Sequence, residues 1–175
     1  CGALDRIAAR KKLGVAVGDV SLLFVSANNL HRKSKRYDRF VQVVNELTAC
    51  GFNVKPLLMV SVARECVGEY FCAADFLVLV SDFEGSPNAV KEALANGLRV
   101  ASTNVGDVDE LSRGVPGCFV VKDFDAASFA HELAIRVADG ADRNAVREAA
   151  LKNLPTDKAA SKSICDIYKR ISVYA

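Results

Sequence analysis

Two glutamates with seven residues between them, Glu84 and Glu92, bracket the part of this 175-residue sequence richest in chemistry. The stretch from Ser81 to Gly97 reads Ser-Asp-Phe-Glu-Gly-Ser-Pro-Asn-Ala-Val-Lys-Glu-Ala-Leu-Ala-Asn-Gly. Its punctuation predicts a helix: Ser86 suits the N-cap, Pro87 the first helical position and Gly97 the end. A helix start offers unpaired N–H groups and a partial positive charge, which suit an anion such as phosphate. Neither glutamate suits phosphate, because each repels it. Beside an anion site, carboxylates instead accept hydrogen bonds from hydroxyl groups. A ligand with both phosphates and many hydroxyls is a nucleotide-sugar. The alternative is a solvated loop residue at Glu84 and a solvated helix residue at Glu92. On residue chemistry alone the two readings are evenly matched, since charged residues are mostly exposed.

A second cluster, Arg32, Lys33, Lys35 and Arg36, follows the apolar run Leu22 to Ser26. That run predicts the first strand, and the run Phe76 to Val80 predicts a strand buried on both faces just before the glutamates. Both charged loops therefore fall at the carboxyl ends of parallel strands, where open α/β sheets bind ligands. A solvated basic turn is the competing reading for the cationic loop.

The elements that must position these loops alternate along the chain. A short helix is expected over 1–13 with Leu4, Ile7, Ala8 and Leu13 inward. Another is expected from Tyr37 to Cys50 with Phe40, Val41, Val44 and Leu47 on one face. A strand region spans Phe52 to Met59, a short helix Val62 to Cys72, and a further strand surrounds Leu98 to Ala101. Helices over Asp125 to Ala138, Arg143 to Asn153 and Thr156 to Tyr174 complete the expectation. Alternation of this kind predicts an α/β fold: a Rossmann-like, doubly wound parallel sheet in one domain, 1–175.

The segment Glu84-Gly85-Ser86-Pro87-Asn88-Ala89-Val90-Lys91-Glu92-Ala93-Leu94-Ala95 resembles the donor-binding signature of retaining glycosyltransferases of the GT-B fold. The family is the large one that includes sucrose synthase and many bacterial polysaccharide and lipid glycosyltransferases. The resemblance continues in Ser102 to Leu111 and Gly117 to Val121, and covers about Leu22 to Val121. It implies that the chain is the C-terminal, nucleotide-sugar-binding half of such an enzyme, with the N-terminal acceptor domain absent from it. It implies further that Glu84 holds sugar hydroxyls, that Glu92 holds the ribose, and that Gly85, Ser86, Pro87, Asn88 and Ala89 contact the donor.

In the resembled family an arginine and a lysine of the first loop grip the diphosphate. The common form has Gly-Arg directly after the strand and Lys-Gly a few residues on. Here Ser26-Ala27 replaces the first pair, and Arg36 follows Lys35 where glycine is usual. A related pattern, arginine three residues before lysine, is met by Arg32 and Lys35, which are the expected catalytic cations beside Glu84. The expected function is sugar transfer from a nucleoside-diphosphate donor to an acceptor in polysaccharide or glycolipid synthesis, with the isolated domain inactive. Competing readings are a GT-B-fold epimerase or phosphorylase half, and a catalytically silent nucleotide-binding or assembly domain.

No cofactor is expected beyond the donor substrate, and no metal. Asp107-Val108-Asp109 has the form of an Asp-x-Asp metal motif. Its setting between Gly106 and Glu110-Leu111 reads better as a capped, acid-rich first helical turn. His31 borders the basic loop, and His131 is expected on the surface. A net charge of +2 gives no drive toward nucleic acid. No run reaches the length of a transmembrane helix and no signal peptide is recognised. The six cysteines form no Cys-x-x-Cys pair and predict reduced, cytosolic thiols without zinc. A cytoplasmic location is expected, compatible with a peripheral place on a membrane for the full-length protein. Ile164, Ile167, Tyr168 and Ile171 would give the final helix an apolar face for the N-terminal domain.

Overall fold

The computed structural model describes residues 6–27, 29–30 and 32–155. Among these residues five strands alternate with seven α-helices: α1 Arg6–Lys12, β1 Val20–Ser26, α2 Tyr37–Ala49, β2 Val54–Val60, α3 Arg64–Ala73, β3 Phe76–Leu79, α4 Asn88–Ala95, β4 Arg99–Thr103, α5 Val108–Ser112, β5 Phe119–Val121, α6 Ala126–Asp139 and α7 Arg143–Ala150. The strands form one parallel sheet in the order β2-β1-β3-β4-β5. The expected Rossmann-like, doubly wound sheet is met.

Strand side chains alternate between two cores, as the pleat requires. Leu23, Leu77, Leu79 and Val100 face the helical layer that holds Ala9, Phe71, Val90, Leu94, Leu111 and Val146. Leu22, Phe24, Phe76, Val78 and Ala101 face α2 and α6 through Phe40, Val43, Leu47, Phe129 and Leu133. Burial on both faces explains why β1 and β3 read as continuous apolar runs. From β1 the chain passes through α2 on one face to β2. It then returns through α3 on the other face to β3, so the winding reverses between β1 and β3.

Several expected details differ. In α1, which packs against α3, the buried residue is Ala9, while Ile7 is 78% exposed. In α2, Val43 is buried and Val41 lies outward, so the inward stripe runs Phe40, Val43, Leu47. The helix expected over 156–174, with its isoleucine face, lies outside the described residues. Cys50, Cys66 and Cys118 are free thiols, as expected, whereas Cys72 is disulfide-bonded. Local spacing excludes Cys-x-x-Cys pairs and carries no information on pairing between distant segments. No described helix is long and apolar enough to cross a membrane.

Candidate functional site

Because β1 and β3 are neighbours that wind in opposite senses, the loops leaving their carboxyl ends part to leave a crevice. The first of these, 27–36, carries the cations, and the second, 80–87, carries the carboxylates. Among the described residues, three bonds join them across the crevice. Lys35 Nζ donates to Glu84 Oε1 at 2.7 Å, Arg36 Nη1 donates to Asp82 Oδ1 at 2.9 Å, and the Asp82 amide donates to the Ser34 carbonyl at 2.9 Å.

Glu84 is not a solvated loop residue. Its side chain and that of Lys35 are 17% and 13% exposed. The buried Ser81 also donates to Glu84 Oε1, at 2.8 Å, and Thr103 Oγ1 from the end of β4 fastens the Ser81 carbonyl at 3.0 Å. Glu84 Oε2 has no hydrogen-bond partner among the described residues. Sequence reasoning missed both supports, since only strand order brings Thr103 beside Ser81.

The signature helix begins one residue later than expected. Pro87 is the N-cap of α4, and no side chain caps the helix. Ser86 instead donates its hydroxyl to Asp107 Oδ2, at the start of α5. This corrects Ser86 as N-cap. The physical reason is the close approach of the two loops, which offers the hydroxyl a charged acceptor. The first N–H groups of α4, on Asn88 and Ala89, remain without intrahelical acceptors, as in any helix. Gly106 fixes the approach: its φ is 55°, and a Cβ there would lie 2.0 Å from the Gly85 carbonyl oxygen. The backbone of Glu84 and Gly85 therefore rests directly on Gly106, while Gly85 itself faces open space.

The other expected site residues are spread out. Arg32 and Lys33 are exposed and, with Leu30, Arg36, Tyr37, Asp38 and Asp82, line an open depression of about 490 Å³. Arg36 takes a left-handed conformation, φ 51° and ψ 55°, in the place where the resembled pattern has glycine. Its Nε and Nη2 hold Asp38, and Arg39 adds a second cation to Asp82 at 3.1 Å. The bond from Arg36 keeps the Asp38 carboxyl below the usual carboxylate range. Asn88 is exposed, Ala89 half-buried and Pro87 buried. Glu92 is exposed and borders a separate depression with Arg64, Gly68 and Asn96. The fold thus joins Lys35 to Glu84 directly and leaves Arg32 and Glu92 lining two separate depressions.

The Asp-x-Asp aspartates part company. Asp109 pairs with Arg113, and Asp107 takes the Ser86 hydroxyl with its Oδ1 buried and unpartnered. Asp109 and Glu110 do make the first turn of α5 acid-rich, but Asp107 caps it with no side-chain bond. Among the described residues no three His, Cys, Asp or Glu side chains are placed to hold a metal ion. His131 is exposed on α6, and His31 and Asn28 lie outside the described residues.

Solved structures with this fold include a glycosyltransferase from Rickettsia africae (TM-score 0.68, 14% identity), which the match covers over 97% of this chain and 53% of that one. A sucrose-phosphate synthase from Thermosynechococcus elongatus matches over 97% of this chain and 49% of its own, with TM-score 0.65 and 17% identity. WaaG, a glycosyltransferase involved in lipopolysaccharide biosynthesis, matches over 83% and 46%, with TM-score 0.66 and 20% identity. The chain spans about half the length of these structures. No curated protein matches the sequence significantly. The family model for glycosyl transferases group 1 matches residues 10–139, most of the chain and both loops of the crevice, and the chain belongs to that family.

Proposed function

We propose that the chain is the donor-binding, C-terminal half of a retaining, metal-independent glycosyltransferase. It would take a nucleoside-diphosphate sugar and serve polysaccharide or glycolipid synthesis in the cytoplasm, with the acceptor held by an N-terminal domain. The observation that carries this reading is the Lys35–Glu84 pair at the winding reversal. It sets an ammonium and a hydroxyl acceptor side by side where such sheets bind nucleotides.

In this reading the α- and β-phosphates lie against Lys35, with Arg32 closing from the exposed edge and the Asn88 and Ala89 N–H groups beneath. Only one of the three ammonium donors of Lys35 is engaged by Glu84, so phosphate can bind without breaking that bond. Glu84 Oε2 accepts a sugar hydroxyl, and Glu92 accepts from the ribose. As the glycosidic bond breaks, charge builds on the departing diphosphate. Fixed cations and N–H groups stabilise it there electrostatically.

Thermal denaturation against a panel of nucleoside diphosphates and their sugars, with and without a chelator, tests the proposal. A selective ligand stabilises by about 2.7 kcal/mol at a hundredfold excess over its dissociation constant. The shift should survive chelation and shrink as salt rises. Absence of any shift across the panel overturns donor binding, and a large loss on chelation overturns metal independence. Robust transfer by this chain alone would overturn the half-enzyme reading. Binding without turnover in a reconstituted full-length enzyme would favour the catalytically silent domain.

A further inference from the structure

The proposed mechanism leaves two carboxylates of the depression beside the cationic loop unused, Asp38 and Asp82. Asp82 is the one that ties the two loops together. Its amide is anchored to the Ser34 carbonyl, so the backbone of the carboxylate loop is fixed against the cationic loop. Its side chain is 42% exposed, and Oδ1 alone receives both Arg36 at 2.9 Å and Arg39 at 3.1 Å. Arg36 is held independently, because Nε and Nη2 engage Asp38 while only Nη1 engages Asp82. Asp82 can therefore swing into water and free Nη1 without releasing the guanidinium from its orientation. The same depression is walled by Arg32 and Lys33, so three cations face two carboxylates there.

We propose that Asp82 is the resident anion of the crevice: it occupies Arg36 and Arg39 until a ligand diphosphate displaces it, and so sets the affinity for that diphosphate. The inference rests on the donor-site reading in taking a nucleoside diphosphate as the displacing ligand. Exchange of one anion for another on a fixed guanidinium keeps the charge-assisted bonds and changes only their acceptor. Asp82 then acts as a selectivity filter. Two adjacent phosphates outcompete it, while a single weakly charged anion does not.

The test is calorimetric titration of the intact chain with pyrophosphate and with a nucleoside diphosphate. The variants are Asp82→Asn and, as a control for net charge, Asp109→Asn. Asp82→Asn should tighten both ligands about two- to fivefold, the range expected when an exposed ion pair no longer competes. Asp109→Asn should leave both unchanged. A structural lesion loosens binding, so a gain in affinity separates the exchange from mere support of the loop. Equal or weaker binding by Asp82→Asn, where the unaltered chain binds nucleoside diphosphate, overturns the exchange and leaves the donor reading standing. Tighter pyrophosphate binding without any nucleoside diphosphate binding supports the exchange and overturns the donor reading. Tightening by both variants reduces the effect to net charge and overturns the proposal.

Discussion

At the amino ends of the strands, Asp75 accepts from the Ser21 amide at 2.8 Å, the Ser21 hydroxyl at 2.7 Å, Arg6 at 2.7 Å and Arg10 at 3.1 Å, so both carboxylate oxygens are in use. At the carboxyl ends, Glu84 accepts through one oxygen, and Lys35 and Asp82 have capacity to spare. The neighbouring cations differ in the same way. Arg143 donates its guanidinium N–H groups to the carbonyls of Phe71, Ala74 and Asn96, tying α7 to the end of α3. Burial, with Arg6 next, pushes Arg143 down to about 10. Arg99 stacks on the Phe76 ring at 4.0 Å and donates to the Arg136 carbonyl. The Arg32 side chain, by contrast, stands exposed with no hydrogen-bond or ion-pair partner among the described residues. Burial does not separate the poles, since Glu84 is 17% exposed and Asp75 21%. What differs is saturation of the carboxylates: both oxygens of Asp75 hold the fold, even though Arg143 Nε beside it is buried without a hydrogen-bond partner, whereas one oxygen of Glu84 stays open, as the proposed donor reading requires.

The sharpest way to break this comparison is at Asp75. Removing it leaves Arg6 and Arg10 with backbone carbonyls as acceptors but takes away the carboxylate that balances their charge, a change that costs about 3 kcal/mol when a pair is broken on one side. Asp75→Ala should lower stability by that amount in urea denaturation while leaving ligand affinity of the folded fraction intact. Acid should act on the same group. Burial alone would raise the Asp75 carboxyl, but the bonds from Ser21 and the charges of Arg6 and Arg10 prevail and hold it below the usual range. Its contribution is therefore present above the unfolded carboxyl value of about 3.9 and lost as pH falls through the lower folded value. An Asp75→Ala chain whose stability matches the parent at pH 7 would remove the distinction between the poles.

Ligand discrimination comes next in size. Glu92→Gln should weaken nucleoside diphosphate and nucleotide-sugar alike, by roughly 1.5–3 kcal/mol if the bound ribose buries the bond. Glu84→Gln should weaken only the nucleotide-sugar, and it relieves Lys35 of its carboxylate, so bare diphosphate should bind no worse than before. Calorimetric titration of both ligands into both variants, with circular dichroism to confirm folding, reads this directly. Equal small effects on both ligands would mean that the carboxyl pole is solvated surface.

How much of this is legible in the sequence depends on the range of the interaction. The strands, the loops and the glutamate spacing are written locally, in apolar runs and turn residues, and the structure reproduces them within a few positions. The Lys35–Glu84 bond spans 49 residues and exists only because β1 lies beside β3, an adjacency no local pattern encodes. The same applies to Ser86, whose local setting signals a cap while the fold presents Asp107 to it. The Asp75 cluster draws its arginines from α1, far away in the chain. Its one local signal is an acid wedged between Ala73-Ala74 and the buried run from Phe76, since a carboxylate there requires partners.

The smallest expected effect is the most discriminating, because it lies at Arg36. A non-glycine residue in the left-handed region costs about 1–2 kcal/mol, and Arg36 sits there at φ 51°. Arg36→Gly removes that strain but adds about 0.4–1 kcal/mol of unfolded-state entropy. It also gives up exposed pairs to Asp38 and Asp82, each worth about 0.2–1 kcal/mol. These terms nearly cancel, so the variant should match the parent within about 0.5 kcal/mol in urea denaturation. Arg36→Val keeps the strain, worsens it through β-branching and loses the same pairs, so it should be clearly less stable. If Arg36→Gly fell as far as Asp75→Ala, the pairs at Arg36 would be holding the fold together. The carboxyl pole would then serve structure as fully as the amino pole does, and nothing in it would be left to exchange for a ligand.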